Sequence, residues 1–275
     1  MLHHTEPFPG VFHITDAMGV SFTLLAGRDR ALLVDTGYGL EDVSGYVRSL
    51  TDRPLTVLLT HGHHDHVLGA RWFPETLMCA EDLPVFRLRT SAAQREAVRC
   101  QALGMNIPVP NDFLTAPVPD PKPLAFTGEF GGFSCLDLSL GSLDLQVVRV
   151  PAHTPGSVMV VIPALGLLLT GDDWNPCTWM WFAESADART WRNNMLRFVR
   201  AAEEEAGISL RHVLCSHQSA LYDGAEMKEY LAYMTDDRLQ SAKPVDMNSP
   251  IATRAVSDPA RNWTLVFDGA RLRDE

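Results

Sequence analysis

The feature that most constrains this chain is a run of ligand-type side chains at positions 61–66, with the sequence HGHHDH. Four of the ten histidines of the protein fall within these six residues. The run directly follows LTVLLT (55–60), a short apolar segment of the kind that forms a buried strand. Imidazole nitrogens and carboxylate oxygens are ligands of Zn²⁺ and similar divalent ions. The run therefore predicts a metal site at the end of a strand, and the alternative is a solvated histidine-rich loop that binds metal only adventitiously.

The spacing within the run predicts two neighbouring points of attachment for metal. His61 and His63 are two residues apart, so their side chains can point the same way as the strand ends. Asp65 and His66 lie about one turn further along and can face a second point nearby. Between the first two histidines, we expect Gly62 to allow a sharp turn of the backbone.

Three further ligand-type residues, His153, Asp172 and His217, come shortly after other predicted strands. Taken singly, each has an ordinary interpretation as a satisfied polar residue, a helix cap or a turn former. Taken together, they predict convergence at one edge of a sheet, where loops on a rigid scaffold carry function. Asp173 is an alternative to Asp172. We prefer Asp172 because it directly follows the Thr-Gly turn.

Hydrophobic periodicity predicts alternating strands and helices along the chain. Strands are predicted at 11–15, 21–27, 31–35, 55–60, 143–150, 158–163, 165–170, 212–216 and 263–268, and helices at 41–50, 81–104, 187–206 and within 222–240. Between the halves, residues 107–123 carry six prolines, which remove backbone donors and exclude this stretch from a central sheet. We predict a single domain, 1–275, with an insert at 80–125 that is either a lid over one edge or a surface excursion without a role.

Composition narrows the classes of function. The formal charge of −11 argues against a nucleic-acid partner, because phosphate binding draws on clustered Lys and Arg. The five scattered cysteines contain no CxxC pair and favour a reducing compartment. We see no signal-peptide pattern and no apolar run long enough to cross a bilayer. We therefore expect a cytoplasmic protein that acts on a small-molecule substrate without a membrane partner, and we make no prediction of its oligomeric state.

Five runs spread over nearly the whole chain resemble the metallo-β-lactamase superfamily: LLVDTG (32–37), LTHGHHDH (59–66), PAHTPGS (151–157), LLTGDD (168–173) and CSHQ (215–218). The resemblance implies an α/β fold of the αββα sandwich type, in which two mixed sheets are flanked by helices. It assigns the metal ligands in three groups: His61, His63 and His153 for a first ion, Asp65, His66 and His217 for a second, and Asp172 as a bridge. Asp35 would support the ligands without binding metal, and His64 falls at a variable position.

The resemblance also implies a metal-dependent hydrolase. Two divalent ions, Zn²⁺ in preference to Mn²⁺ or Fe²⁺, would share a hydroxide that attacks an electrophilic centre. Asp65 would be the catalytic residue that orients this nucleophile and accepts a proton. Within the family, the runs THGHHDH and PAHTPGS are most similar to glyoxalase II and lactonase-like enzymes, which implies an ester, thioester, lactone or related bond.

Two departures leave the substrate open. Lactonases of this type carry a tyrosine shortly after the bridging aspartate, where this chain has Trp174 and Asn175. The basic C-terminal cluster with which glyoxalase II binds glutathione is not evident. The alternatives are an oxidoreductase similar to the persulfide dioxygenases, with one iron at His61, His153 and Asp172, and a phosphodiesterase, which the acidic charge disfavours.

The segment Trp174–Phe182 (WNPCTWMWF) holds three of the six tryptophans. Such a run beside a metal site would suit an apolar acyl or ring substrate. The ordinary interpretation is that these rings pack in the core, and we expect some of them to do each. Cys177 within the run is expected to pack rather than to bind metal.

Overall fold

The computed structural model describes residues 1–272, which divide into two compact units. The first unit comprises residues 1–126, 137–145 and 216–220, and the second comprises 127–136, 146–215 and the chain from Leu221 onward. Each unit is assembled from segments that are distant along the chain. The division is therefore not one of two successive domains, and the single domain predicted from the sequence stays a prediction.

The first unit is built on a mixed sheet whose strands lie side by side in chain order. They are β1 (His3–Phe8), β2 (Val11–Thr15), β3 (Ser21–Ala26), β4 (Ala31–Val34), β5 (Leu55–Leu58), β6 (Leu77–Met78) and β7 (Lys122–Pro123). Strands β1 to β4 are antiparallel, and β4 to β7 are parallel. The four strands predicted in this region are present. Sequence analysis did not predict β1, because its residues HHTEPF are largely exposed and show no apolar alternation.

The helices of this unit are α1 (Val43–Leu50), α2 (His64–Val67), α3 (Leu83–Arg89) and α4 (Ala92–Gly104). Asp42 caps α1 by accepting the backbone N–H of Gly45, and the buried side chains of Val43 and Val47 join the core under the sheet. The helix predicted at 81–104 is divided in two. It breaks before α4, where Ser91 serves as a new N-cap.

The proline-rich stretch 107–123 packs onto the first unit instead of extending into solvent. Phe113 is fully buried in a cluster with Val98 and Ala102 of α4. The stretch joins the sheet only at its edge, as β7. This confirms that the prolines keep it out of the centre of the sheet, while the role of the insert as a lid stays a prediction.

The second unit contains the remaining strands, except that residues 137–139 of β9 and 144–145 of β10 belong to the first unit. These strands are β8 (Gly128–Phe130), β9 (Phe133–Ser139), β10 (Asp144–Arg149), β11 (Val158–Ile162), β12 (Leu167–Leu169), β13 (Cys177–Met180), β14 (His212–Leu214), β15 (Tyr222–Asp223), β16 (Lys243–Pro244), β17 (Thr253–Asp258) and β18 (Trp263–Asp268). One mixed sheet has the order β15-β14-β12-β11-β10-β9-β8, and a smaller sheet has the order β13-β18-β17-β16. The predicted strands correspond to β10, β11, β12, β14 and β18. Sequence analysis did not predict β9 or β17, because polar residues interrupt their apolar positions.

The helices of this unit are α5 (Ala188–Arg200), α6 (Gly224–Tyr233) and α7 (Asp236–Gln240), and a π turn (Ala201–Glu205) extends α5. Asp187 caps α5. One face of this helix is buried and carries the side chains of Trp191, Met195 and Phe198. Each of these large side chains contributes about 1.5–3 kcal/mol through burial. The helix predicted at 187–206 is confirmed. Within residues 1–272, no helix combines the length and the apolar character needed to span a membrane.

Candidate metal centre

In the first unit, the carboxylate of Asp35 organises the loop that follows β5. Asp35 Oδ1 accepts the backbone N–H of Thr60 at 2.7 Å, and Oδ2 accepts the Thr60 hydroxyl at 2.7 Å and His66 Nδ1 at 2.9 Å. Asp35 itself has a φ of 66°, in the left-handed region that few residues other than glycine adopt. These are the supporting contacts that the sequence predicted for Asp35.

The same hydrogen bonds determine the ring tautomers of two histidines. A carboxylate only accepts, so His66 donates its Nδ1 proton to Asp35. The Thr60 hydroxyl gives its one proton to Asp35 and therefore accepts Nδ1–H of His61 at 3.0 Å. In both neutral rings the lone pair is left on Nε2, which is the form that binds a metal ion.

The predicted ligands of the first unit come together in two groups. Ligand atoms of His61 and His63 lie within 4.8 Å of one another, as do those of Asp65, His66 and His217. Asp65 Oδ2 is 3.7 Å from His66 Nε2 and 3.5 Å from His217 Nε2. Two ligands held tetrahedrally at about 2.1 Å from an ion are about 3.4 Å apart. The spacing of these three atoms therefore fits a zinc-sized ion.

Gly62 is required by packing. Its N–H donates to Oδ2 of the fully buried Asp82 at 2.7 Å. A Cβ at Gly62 would lie only 2.6 Å from the backbone nitrogen of Phe86 in α3. The backbone bends at residues 60–62, as predicted, but Gly62 does not adopt a positive φ. Glycine is needed here because the backbone of α3 approaches the loop closely.

His64 is the first residue of α2 and lies outside both groups of ligand atoms. Its ring meets the ring of Tyr38 edge to face, with centroids 5.5 Å apart. Burial lowers the pKa of His64 below its ordinary value, and the neighbouring Asp65 acts in the opposite direction.

In the second unit, His153 is held on three sides in the loop after β10. Its backbone N–H donates to Asp173 Oδ1 at 2.9 Å, and its carbonyl accepts the Ser185 hydroxyl at 2.8 Å. Its Nδ1 donates to the carbonyl of Trp179 at 2.8 Å. As in His61 and His66, this bond leaves the Nε2 lone pair available for a metal.

The two adjacent aspartates of this unit have different surroundings. Asp172 follows Gly171, which has a φ of 54°, and its Oδ2 lies 3.6 Å from His153 Nε2. Asp173 instead uses its carboxylate to hold the backbone of His153, and its carbonyl accepts the indole N–H of Trp191 at 2.7 Å. These contacts favour Asp172 over Asp173 as a ligand, as predicted from its position after the turn.

The aromatic segment after Asp172 divides between core and surface. Trp174 is fully buried and packs edge to face against Tyr222 and Tyr230, with centroids 5.6 and 6.0 Å away. Trp174 is therefore one of the rings of this run that pack in the core, as the ordinary interpretation predicts. In β13 the side chains alternate, which buries Thr178 and Met180 and exposes the other two.

The exposed positions of β13 are Cys177 and Trp179, and Trp179 is 41% exposed. The expectation that Cys177 packs in the core is therefore wrong. Just beyond the strand, Trp181 stacks on Phe182 with centroids 4.5 Å apart, and Phe182 meets the ring of His153 edge to face at 5.4 Å. The half-buried ring of Phe182 thus borders a proposed ligand, and the ring of Trp181 stacks on it.

Comparisons with known proteins agree with this picture. A family model described as the metallo-beta-lactamase superfamily matches residues 15–173, more than half of the chain. The chain is 30% identical over 161 residues to the beta-lactamase-like protein 2 homolog of Drosophila melanogaster, covering 56% of this chain and 46% of that protein. It is 26% identical over 182 residues to the acyl-coenzyme A thioesterase MBLAC2 of Gallus gallus, covering 60% of this chain and 62% of that protein. The chain thus spans less than two thirds of the length of either relative.

Among solved structures, the metallo-beta-lactamase FIM-1 from Pseudomonas aeruginosa in its mono-zinc form superposes with a TM-score of 0.57 at 17% identity. The match covers 84% of this chain and 93% of that chain. The structural similarity confirms the fold class predicted from the sequence.

Proposed function

This chain belongs to the metallo-β-lactamase superfamily, and on that premise we propose that it is a metal-dependent hydrolase with a centre for two zinc ions. The ligands would be His61, His63 and His153 for the first ion, Asp65, His66 and His217 for the second, and Asp172 for both. The observation that carries the proposal is the hydrogen bonding of His61, His66 and His153. In each ring Nδ1 is occupied by a partner, so Nε2 is prepared for an ion.

The donor set supports zinc. Imidazoles with carboxylates suit borderline divalent ions, and none of the proposed ligands is a thiolate. When bound, two such ions would polarise the bond under attack and lower the pKa of a bound water from its value in bulk solvent towards about 7. Asp65 is partly buried and lies within 3.7 Å of two histidine rings. We assign to it the orientation of the attacking water and the acceptance of its proton.

For the substrate we propose an ester, thioester or lactone with an apolar acyl part. The name of the Gallus gallus relative, an acyl-coenzyme A thioesterase, supports this class. So does the stacked pair Trp181 and Phe182, because Phe182 contacts the ring of His153. Aromatic faces beside a reacting centre bind apolar groups and exclude water.

The first test is metal content together with hydrolysis. Protein purified without added metal is assayed for bound metals and then offered thioesters, lactones, β-lactams and phosphodiesters with Zn²⁺ or Mn²⁺. We expect two equivalents of zinc and turnover of an acyl substrate. One equivalent of iron with oxygen consumption would contradict the proposal and favour the persulfide dioxygenase alternative.

A pair of histidine variants tests the assignment of ligands. His66→Asn should lose one equivalent of zinc and reduce turnover by more than about 100-fold, since losing a ligand costs more than the 10–100-fold typical of a supporting residue. His64→Asn removes an imidazole from the same short helix, α2, and should keep both ions. A His66→Asn protein that retains two zinc ions and full activity would refute the assignment.

A further inference from the structure

The loop that carries His217 is held on both sides by the hairpin of β2 and β3. On one side, the backbone N–H of Ser21 donates to the carbonyl of Ser216 at 2.6 Å. On the other side, Nε2 of His13 donates to the carbonyl of Gln218 at 2.8 Å. The residues on both sides of His217 are therefore hydrogen-bonded to the hairpin. The donor to Ser216 is a backbone N–H, and the donor to Gln218 is the side chain of His13.

His13 is a buried polar residue that the proposed chemistry does not use. It lies in β2 with only 2% of its surface exposed, opposite Thr23 in the register of β2 and β3. Its Nδ1 is 3.0 Å from the Thr23 hydroxyl. Because the Gln218 carbonyl only accepts, Nε2 carries the proton and Nδ1 of the neutral ring accepts the hydroxyl. Burial lowers the pKa of His13, which keeps this neutral form, although the bond to Gln218 acts in the opposite direction.

We expect the placement of the His217 ring to follow the placement of its backbone. Its side chain is 37% exposed, in contrast to the fully buried His66. Asp35 holds the ring of His66 from behind. The ring of His217 meets the ring of His66 edge to face, with centroids 5.8 Å apart, and its Nε2 lies 3.5 Å from Asp65 Oδ2.

We propose that His13 is a positioning residue for the second metal ion, acting through the Gln218 carbonyl to set the place of His217. The inference rests on the proposed function, because it requires His217 to be a ligand of that ion. Thr23 contributes because its hydroxyl donates to Nδ1 of His13, which keeps the ring proton on Nε2. Supporting hydrogen bonds of this kind change metal affinity by 10–100-fold when they are removed.

The test measures the affinity of each zinc ion by competition with a chromophoric chelator. His13→Leu removes the donor to Gln218, and we expect affinity for the second ion to fall by 10-fold or more while affinity for the first stays unchanged. His13→Gln places an amide donor near the position of Nε2 and should restore affinity to within about 3-fold of wild type.

Two hydroxyl deletions in the same hairpin form a matched pair. Thr23→Val removes the hydroxyl partner of His13 and should lower the affinity for the second zinc ion several-fold. Thr15→Val removes a buried hydroxyl that is hydrogen-bonded to Ser21 Oγ at 2.8 Å within the hairpin. It should lower the melting temperature of the metal-free protein and leave both affinities unchanged.

The outcomes separate this inference from the proposed function. If the wild-type protein binds fewer than two zinc ions, the proposed function fails and the inference fails with it. If the wild type binds two ions and His13→Leu lowers both affinities equally, or lowers neither, then His13 is only a structural residue. In that case the inference alone is overturned. If His13→Leu does not fold, Thr23→Val is the deciding variant. An unchanged affinity for the second zinc ion in Thr23→Val then overturns the inference.

Discussion

At the scale of single residues, the buried carboxylate of Asp16 ties together two loops of the first unit. Its Oδ1 accepts the N–H groups of Met18 and Val20 at 2.9 and 3.1 Å, and its Oδ2 accepts that of Tyr38 at 2.9 Å. Burial raises the pKa of Asp16 to about 6, although the three hydrogen bonds act in the opposite direction. Desolvation of the charge therefore outweighs its hydrogen bonding.

This shift predicts a pH dependence of stability. A carboxyl whose pKa is higher in the folded protein than in the unfolded chain, where it is about 3.9, stabilises the fold least at high pH. Its contribution is lost as pH rises from about 4 through 6. In Asp16→Asn this titration is absent, so the free energy of unfolding of the wild type relative to the variant should fall by about 2 kcal/mol between pH 4 and pH 7. Chemical denaturation of the two metal-free proteins checks this, and a difference independent of pH would contradict it.

At the scale of elements, the loop that joins β5 to α2 depends on the insert that follows it in the chain. Asp82, at the start of α3, accepts the N–H of Gly62, and the backbone of α3 at Phe86 leaves no space for a side chain there. The first part of the insert is thus structural support for the proposed ligands, whatever its later residues do. Fixing a loop from a helix behind it is a common way to hold ligands in place.

A pair of glycine substitutions tests this contact. In Gly62→Ala, a Cβ 2.6 Å from the Phe86 nitrogen must push α3 away from the loop, and we expect a loss of about 2 kcal/mol in the free energy of unfolding with weaker zinc binding. Gly104→Ala at the end of α4 meets no atom within 4 Å. It should be neutral or stabilising by up to about 1 kcal/mol. Equal effects of the two substitutions on stability and zinc affinity would refute the role of the close approach.

At the scale of the whole molecule, stability comes from apolar packing in each unit and, under the proposed function, from metal. The cysteines at 79, 100, 135, 177 and 215 are all thiols, so none of them forms a disulfide within the chain. The net charge of −11 adds electrostatic repulsion that bound cations would reduce. Metal ions are therefore expected to stabilise the fold as well as to serve catalysis.

Thermal unfolding with and without a chelator tests this expectation. At a free zinc concentration about 1,000 times the Kd, each ion stabilises the protein by about 4 kcal/mol, because it binds the folded state and not the unfolded chain. We expect a strong chelator to lower the Tm and a thiol reductant to leave it unchanged. His153→Ala, which lacks a proposed ligand, should respond less to the chelator. A Tm that is insensitive to the chelator would contradict the metal centre.

Local sequence was sufficient to predict the fold and the proposed ligands. The continuous apolar runs of β5, β11 and β12 indicate buried strands without reference to the rest of the chain. The run HGHHDH and the later runs around His153 and Asp172 carry the family resemblance by residue type and spacing alone. Strands with interrupted patterns, such as β9 and β17, were not predictable, because they are stabilised by their neighbours in the sheet more than by their own composition.

The tertiary structure alone decided which side chains surround these residues. It buries Trp174 but exposes Trp179, although both belong to one aromatic run. It gives Gly62 a packing role and joins His13 to a carbonyl 205 positions away in the chain. Hydrogen bonds and close approaches of this kind depend on the relative positions of distant segments. Those positions result from the packing of the whole unit, and no local pattern of residues encodes them.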